Sequence, residues 1–277
     1  MSGAAYEERV AGAGGRETIR APAMSRLPRS SAIAALSAIA VFPTPAQLHA
    51  ARHFAAHREG AVSFAVVDSR GRDRGGLHPA ARRPSASVVK AMLLVAYLRR
   101  HAHDRLSPPA RRLLSPMIRV SDNRAAETIH AVVGDAGLRA VGHAAHMRHL
   151  STGHGLFETG ITAGDQARFF WRLDRLLPRR HRAYARTLLA TVAPQQRWGV
   201  PRAARGRFHV LIKGGWRAGL VHQGARVEWR GHHMALAVLT VGGAGVVYGQ
   251  QTIQGIAARL LSPVSVARKG SAAANLG

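Results

Sequence analysis

Ser87 and Lys90 stand three residues apart at the head of an apolar run, Val88-Val89-Lys90-Ala91-Met92-Leu93-Leu94-Val95. On a helix that spacing puts both on one face, one turn apart and within reach of each other. A helix that is apolar on all sides is normally buried. A buried lysine is costly unless it finds partners or gives up its proton. Held near neutrality beside a serine hydroxyl, it makes a nucleophile and its base. The same residues also fit a serine capping a helix and a lysine snorkelling to solvent. The pair alone leaves both readings open.

Two more motifs follow. Ser121-Asp122-Asn123 comes between apolar segments, and Lys213-Gly214-Gly215 ends a segment in which Phe208, Val210 and Ile212 alternate with His209, Leu211 and Lys213. Only three lysines (Lys90, Lys213, Lys269) stand among 40 Lys and Arg residues, and asparagine occurs only at Asn123 and Asn275. Two of those lysines and one asparagine fall in the motifs. Arginine cannot serve as a neutral amine. Lysine kept at these points indicates an amine that has to lose its proton.

The elements that must position these groups follow from periodicity and punctuation. A helix is expected over 47–58, a strand over 61–68 closed by Ser69-Arg70-Gly71, and a second short strand before Pro84. Helices follow from Ser87 to about Arg100, from Pro108-Pro109 towards Met117, and from Asn123 through Val133 to a stop at Gly134. Residues 136–149 read as helix and 151–160 as loop. Two more helices cover 163–177, with Phe169, Phe170 and Trp171 as core, and 181–192; 198–207 reads as loop. Strands return at 208–213, 221–229 and 234–241, with a hairpin at Arg230-Gly231-His232, and Ile253, Ile256, Ala257 and Leu260 mark a closing helix. Strands at both ends with helices between them indicate an α+β fold with an antiparallel sheet and a helical insert at about 85–205.

In this order, S-x-x-K, S-D-N and K-G-G resemble the signature of active-site serine β-lactamases and penicillin-binding proteins. Residues 47–263 are similar to the class A β-lactamase/serine DD-peptidase superfamily, nearest its compact K-G-G members. The resemblance implies a three-layer α/β/α arrangement: a five-stranded antiparallel sheet flanked by helices, an inserted all-helical subdomain, and an active site at their junction. It also implies roles. Ser87 would be the acylated nucleophile, Lys90 its base, and Ser121 the proton donor to the leaving nitrogen. Asn123 would bind the substrate's side-chain amide and hold Lys90. Lys213 would polarise Ser121 and attract a substrate carboxylate. Gly215 and Trp216 would line the substrate, with the N–H groups of Ser87 and Trp216 as oxyanion donors. No cofactor and no metal are implied.

The sequence departs from the family in three places. No E-x-x-L-N segment supplies the usual base for deacylation. Glu158 is the only glutamate between Arg148 and Thr162, and it reads either as that base or as a surface carboxylate. Gly214 stands where a Thr or Ser hydroxyl is usual, so Arg217 or Arg226 would have to bind a carboxylate. The Lys90–Ser121 segment is short, which implies a more open cleft.

Composition sets the outer bounds. With 277 residues and 47% apolar content the chain can build an ample core. The net charge of +26 is spread along the chain. It implies attraction to polyanions, but no nucleic-acid motif accompanies it, so no specific nucleic-acid partner is expected. There is no cysteine, which excludes disulfides and thiol catalysis. His143, His146 and His149 recur every third residue without an acidic ligand, and read as a solvated helix face. Residues 1–23 and 264–277 read as disordered. Within 24–46, a basic Met24–Arg29 segment, the apolar run 32–42 and Pro43-Thr44-Pro45-Ala46 read as a secretory signal, so a secreted or cell-envelope location is expected. Three functions compete: a hydrolase of β-lactams or related amides, a DD-peptidase on peptidoglycan-like peptides, and a non-catalytic wall-binding module. A monomer is expected.

Overall fold

The computed structural model describes residues 42–262. The tail reading, and the disordered and secretory readings up to residue 41, lie outside them. The elements are α1 (Pro45–Ala56), β1 (Ala61–Val67), β2 (Asp73–Leu77), β3 (Arg82–Pro84), α2 (Val89–Arg100), α3 (Pro108–Arg119), α4 (Asn123–Ala144), β4 (Gly160–Thr162), α5 (Ala163–Leu176), α6 (Arg179–Ala190), α7 (Val200–Ala204), β5 (His209–Arg217), β6 (Leu220–Trp229), β7 (His232–Val241) and α8 (Val246–Leu260).

Five strands form an antiparallel sheet in the order β2-β1-β7-β6-β5. The central strands are buried along nearly their whole length, so both faces must be covered; the buried side chains of β7 are almost all apolar, whereas β6 also buries His222, Gln223 and Arg226. On one face Ala65, Val67, Ala237 and Leu239 pack with Ile161 and with Ala163 and Ala167 of α5. On the other, α8 comes so close that a Cβ on Gly249 would stand 2.6 Å from Val221. β6 and β7 are joined at Arg230-Gly231, both with positive φ (43° and 79°), the geometry of a tight hairpin that matches strand twist. The sheet therefore carries helices on both faces, as the resemblance implied.

The helical insert is less purely helical than expected. It contains β4, which pairs with β3, and α5, which lies on the sheet. As expected, Gly134 breaks the helix (φ 62°, ψ 179°) and a second helical stretch follows, which ends at Ala144 rather than 149. His146 then adopts φ 59°, which ends the helix before His149, so the three histidines do not share one helical face. The 198–207 loop contains α7, whose Val200 N–H donates to buried Gln223 Oε1 at 2.8 Å. The packed domain also starts earlier than residue 47. The Phe42 ring meets Trp229 edge-on at 5.0 Å, and Thr44 caps α1 in a reciprocal capping box with Gln47.

Candidate active site

Ser87 sits in a single 3-10 turn, Ala86–Val88, that leads into α2. Ala86 before it has φ 45°, an unfavourable conformation for a residue with a Cβ and one that clusters at functional sites. The turn is pressed against β5. A Cβ on Gly215 would lie 2.5 Å from the Ser87 backbone N and 2.9 Å from that of Val88. Only glycine lets the strand reach the Ser87 turn, and it brings Ser87 N next to the residue that precedes Trp216.

α2 is buried on all sides, and Lys90 with it (0% exposed). Its amine donates to Ser121 O, to Ser121 Oγ (3.1 Å) and to Asn123 Oδ1 (2.7 Å). Among the described residues, no hydrogen bond joins it to the Ser87 hydroxyl. The spacing puts Ser87 and Lys90 one turn apart, but the acceptors on the α3–α4 turn take the amine. That turn holds Ser121 at φ 63°. It is fixed by Asp122, whose carboxylate accepts the Ala125 N–H at 2.8 Å as the α4 cap, and by Ala193 N–H donating to Arg119 O at 2.8 Å. Lys213 on β5 is also buried (1% exposed). Its amine donates to the same Ser121 Oγ at 2.9 Å and to Gly214 O at 2.7 Å. One hydroxyl thus lies between two buried amines.

Burial pushes the Lys90 amine down to about 8, against the smaller opposing pull of the Asp122 and Glu127 carboxylates. Burial, and then the charge on Lys90, push Lys213 well below the usual ammonium range. Two amines around one hydroxyl disfavour double protonation, and their protons belong to the pair. The sequence reading of Lys213 as a standing cation therefore needs a substrate anion beside it, which would raise its proton affinity again.

The opposite rim is the segment 156–159. Ser85 N–H donates to Thr159 O at 2.8 Å and Ser85 Oγ to Phe157 O at 3.3 Å, which ties this rim to the Ser87 turn. The Phe157 ring lies 5.2 Å from Lys90 Nζ. Glu158 points the other way and forms a bidentate pair with Arg217 at the end of β5 (Nη2···Oε2 3.0 Å). That pairing holds its carboxyl below the usual range. No carboxylate hydrogen-bonds Lys90 among the described residues. Arg226 is elsewhere: it is held by Asp174, Glu228 and Trp171 O on the α5 side of the sheet. Of the two arginines considered for carboxylate binding, only Arg217 borders the site.

Gly214 has its own reason. A Cβ there would be 2.6 Å from the Trp198 ring, so the indole fills the place of a Thr or Ser side chain. Trp198 in turn meets Trp216 edge-on at 6.0 Å. Trp216 is 38% exposed and alternates with Gly215 and Arg217 along β5, so its ring lies on the strand face opposite the Ser87 turn. Among the described residues, no group of three or more His, Asp or Glu side chains is arranged to hold a metal ion.

A family model described as "Beta-lactamase enzyme family" matches residues 100–263. The chain belongs to the beta-lactamase enzyme family. The matched segment carries Ser121, Asn123 and Lys213, while Ser87 and Lys90 precede it. No protein of curated function matches the sequence. Among solved structures, a beta-lactamase from Sphaerobacter thermophilus DSM 20745 is similar with a TM-score of 0.68 at 19% identity, over 78% of this chain and 95% of that one. A class A beta-lactamase from Mycobacterium abscessus is similar with a TM-score of 0.65 at 18% identity, over 78% and 98%. A protein named PBP-A is similar with a TM-score of 0.66 at 13% identity, over 78% and 94%. These likenesses establish the beta-lactamase fold.

Within this beta-lactamase-family site, the structure brings together Ser87, Lys90, Ser121, Asn123, Lys213 and Gly215. Phe157, Ser85 and Trp198 were not singled out by sequence reasoning as site residues. Phe157 adjoins the one conspicuous glutamate of its loop, but nothing local says that its ring turns to Lys90. Ser85 and Trp198 carry no signal of their own, because their roles depend on contacts with distant segments.

Proposed function

We propose that this protein is a serine hydrolase that opens β-lactams through an acyl-enzyme at Ser87 and releases the acyl group slowly. The observation that carries this reading is the Ser121 hydroxyl held between the buried amines of Lys90 and Lys213. Ser87 Oγ attacks the lactam carbonyl and its proton passes to the neutral Lys90 amine. The carbonyl oxygen becomes an oxyanion facing the N–H groups of Ser87 and Trp216. As the C–N bond breaks, the lactam nitrogen takes the Ser121 proton, which Lys90 replaces. The pair of amines makes that relay work near neutrality, since either can carry the proton but not both cheaply. Water must then attack the ester. Glu158 is taken by Arg217 and the Phe157 ring occupies the side of Lys90, so among the described residues no carboxylate hydrogen-bonds Lys90 to activate that water.

The same features fit a second reading, a DD-peptidase on peptidoglycan-like peptides that is trapped by lactams. The chemistry up to the acyl-enzyme is shared, and the fate of the ester separates the two. Incubation with a labelled penicillin, followed by intact mass, is expected to give one equivalent of adduct that persists for minutes, with slow hydrolysis of a chromogenic cephalosporin. Ser87→Ala is expected to give neither. An adduct that survives in Ser87→Ala, or none on the intact protein, would remove both readings.

We also propose that the protein works in the cell envelope or outside the cell. The basic and apolar pattern before residue 42 supports this. Phe42 and Thr44 are packed parts of the fold, so cleavage is expected upstream of Phe42 rather than at the end of the 24–46 segment. N-terminal sequencing of secreted protein checks this; a secreted form that begins at Gln47 contradicts the boundary, and full-length protein confined to the cytoplasm contradicts export.

A further inference from the structure

Lys213, Gly215 and Arg217 alternate along β5 and so project to one face of the strand, the face on which Gly215 meets the backbone of Ser87. Facing them is the 156–159 rim, anchored through Ser85. The only ion pair that spans the two rims among the described residues is Glu158–Arg217. Both terminal nitrogens of the guanidinium are used, one on each carboxylate oxygen, which is the planar fork geometry by which arginine recognises a carboxylate.

Resting on the reading above, we infer that Glu158 is a built-in competitor for the substrate's carboxylate: it closes a latch on Arg217 across the mouth of the site and has to release before an anionic substrate seats. Arg217 is the natural anchor at this rim. Its charge is permanent, whereas the buried Lys213 amine sheds its proton easily in the empty site, and Gly214 offers no hydroxyl. The latch is also weak enough to open. Its side chains are 46% and 41% exposed, and exposed ion pairs contribute little to stability because water and salt screen them. A substrate carboxylate that can also reach Lys213 and the Ser121 hydroxyl gains contacts that Glu158 lacks, so it wins the exchange, though at a lowered apparent affinity. The reduction equals the fraction of molecules with the latch open. A neutral ligand, or one without an acid group at that end, does not need Arg217 and gains nothing from displacing Glu158.

The test uses the whole chain and a probe that cannot acylate. Benzylpenicilloate, the ring-opened product, keeps the carboxylate and can be titrated calorimetrically. Glu158→Gln is expected to bind it roughly two- to five-fold more tightly than the unaltered protein, the range set by an exposed pair. In an Arg217→Gln background, Glu158→Gln is expected to add no affinity. Both positions are partly exposed, so circular dichroism should show the fold kept. No gain in Glu158→Gln, a gain that persists without Arg217, or no binding to any variant would overturn the latch. Penicillin labelling of Ser87, run alongside, keeps the two ideas apart. A gain that depends on Arg217 with no Ser87 adduct upholds the latch and removes the acylation reading. An adduct without the gain does the reverse.

Discussion

Lys90→Arg is expected to lower the rate constant for acylation by penicillin by about 10²–10⁴-fold, the usual contribution of a positioned general base. The substitution keeps the positive charge and donors for Ser121 and Asn123, so a purely structural lysine would tolerate it better. What it removes is the ability to lose a proton at accessible pH. Lys90 is prepared for that loss, because burial lowers it to about 8. The sign of the pH dependence follows. Below about 8 the amine is mostly protonated and cannot accept the Ser87 proton, and above it the neutral form dominates. In the unaltered protein, acylation should rise with pH through an apparent value near 8 and then level, and Lys90→Arg should lack that rise. Guanidinium is bulkier than an amine, and overpacking a filled core costs about 1–3 kcal/mol. Lys90→Met, which keeps the stem without the amine, is therefore measured in parallel. Stopped-flow acylation of folded variants decides: a rate within tenfold of the original in both, or a flat profile from pH 6 to 10, would rule out Lys90 as the base.

Gly215→Ala is expected to lower the same rate constant by about 10²-fold, through geometry alone. The added methyl would meet Ser87 N at 2.5 Å and Val88 N at 2.9 Å, closer than real Cβ contacts come. Both obstacles are backbone, in a turn whose following helix is buried on all sides, so neither can rotate aside. The strand must move from the nucleophile, or the 3-10 turn must move from the strand. A misplacement on the order of 1 Å at a reacting centre costs about 10² in rate. Stability should fall less dramatically, by about 1–3 kcal/mol. Urea unfolding and acylation kinetics separate the two effects. An alanine variant that acylates at the original rate would mean that β5 does not set the position of Ser87.

Much of this site could be read from residue types. Lysine is rare in a chain rich in arginine, and two of its three occurrences, Lys90 and Lys213, converge on Ser121 Oγ. The chemistry of the amine explains why composition carried that signal. Helix and strand identities were legible for the same kind of reason. A run over 88–98 that is apolar but for Lys90 becomes the buried part of α2, and alternation at 208–213 becomes the edge strand β5. Periodicity records which faces a segment buries, and that is a local property.

What local patterns could not carry was who meets whom. The approach of 157–159 to Ser85 closes a loop of more than 70 residues, and β4 exists only because β3 is there to pair with it. Ala86 and Ser121 hold left-handed backbone without a glycine to announce it, since the strain is imposed by the surrounding packing. The spacing of Ser87 and Lys90 suggested a direct hydrogen bond. The folded chain instead turns the amine to Ser121 and Asn123, where the α3–α4 turn presents three acceptor oxygens. Glu158 could be noticed as a lone carboxylate, but only the fold shows it on Arg217 rather than beside Lys90. Residue types and periodicity point to the candidate groups and the elements that bear them, because those depend on side-chain chemistry and local burial. The tertiary structure decided their partners and the competition among them, because those depend on distances between segments far apart along the chain.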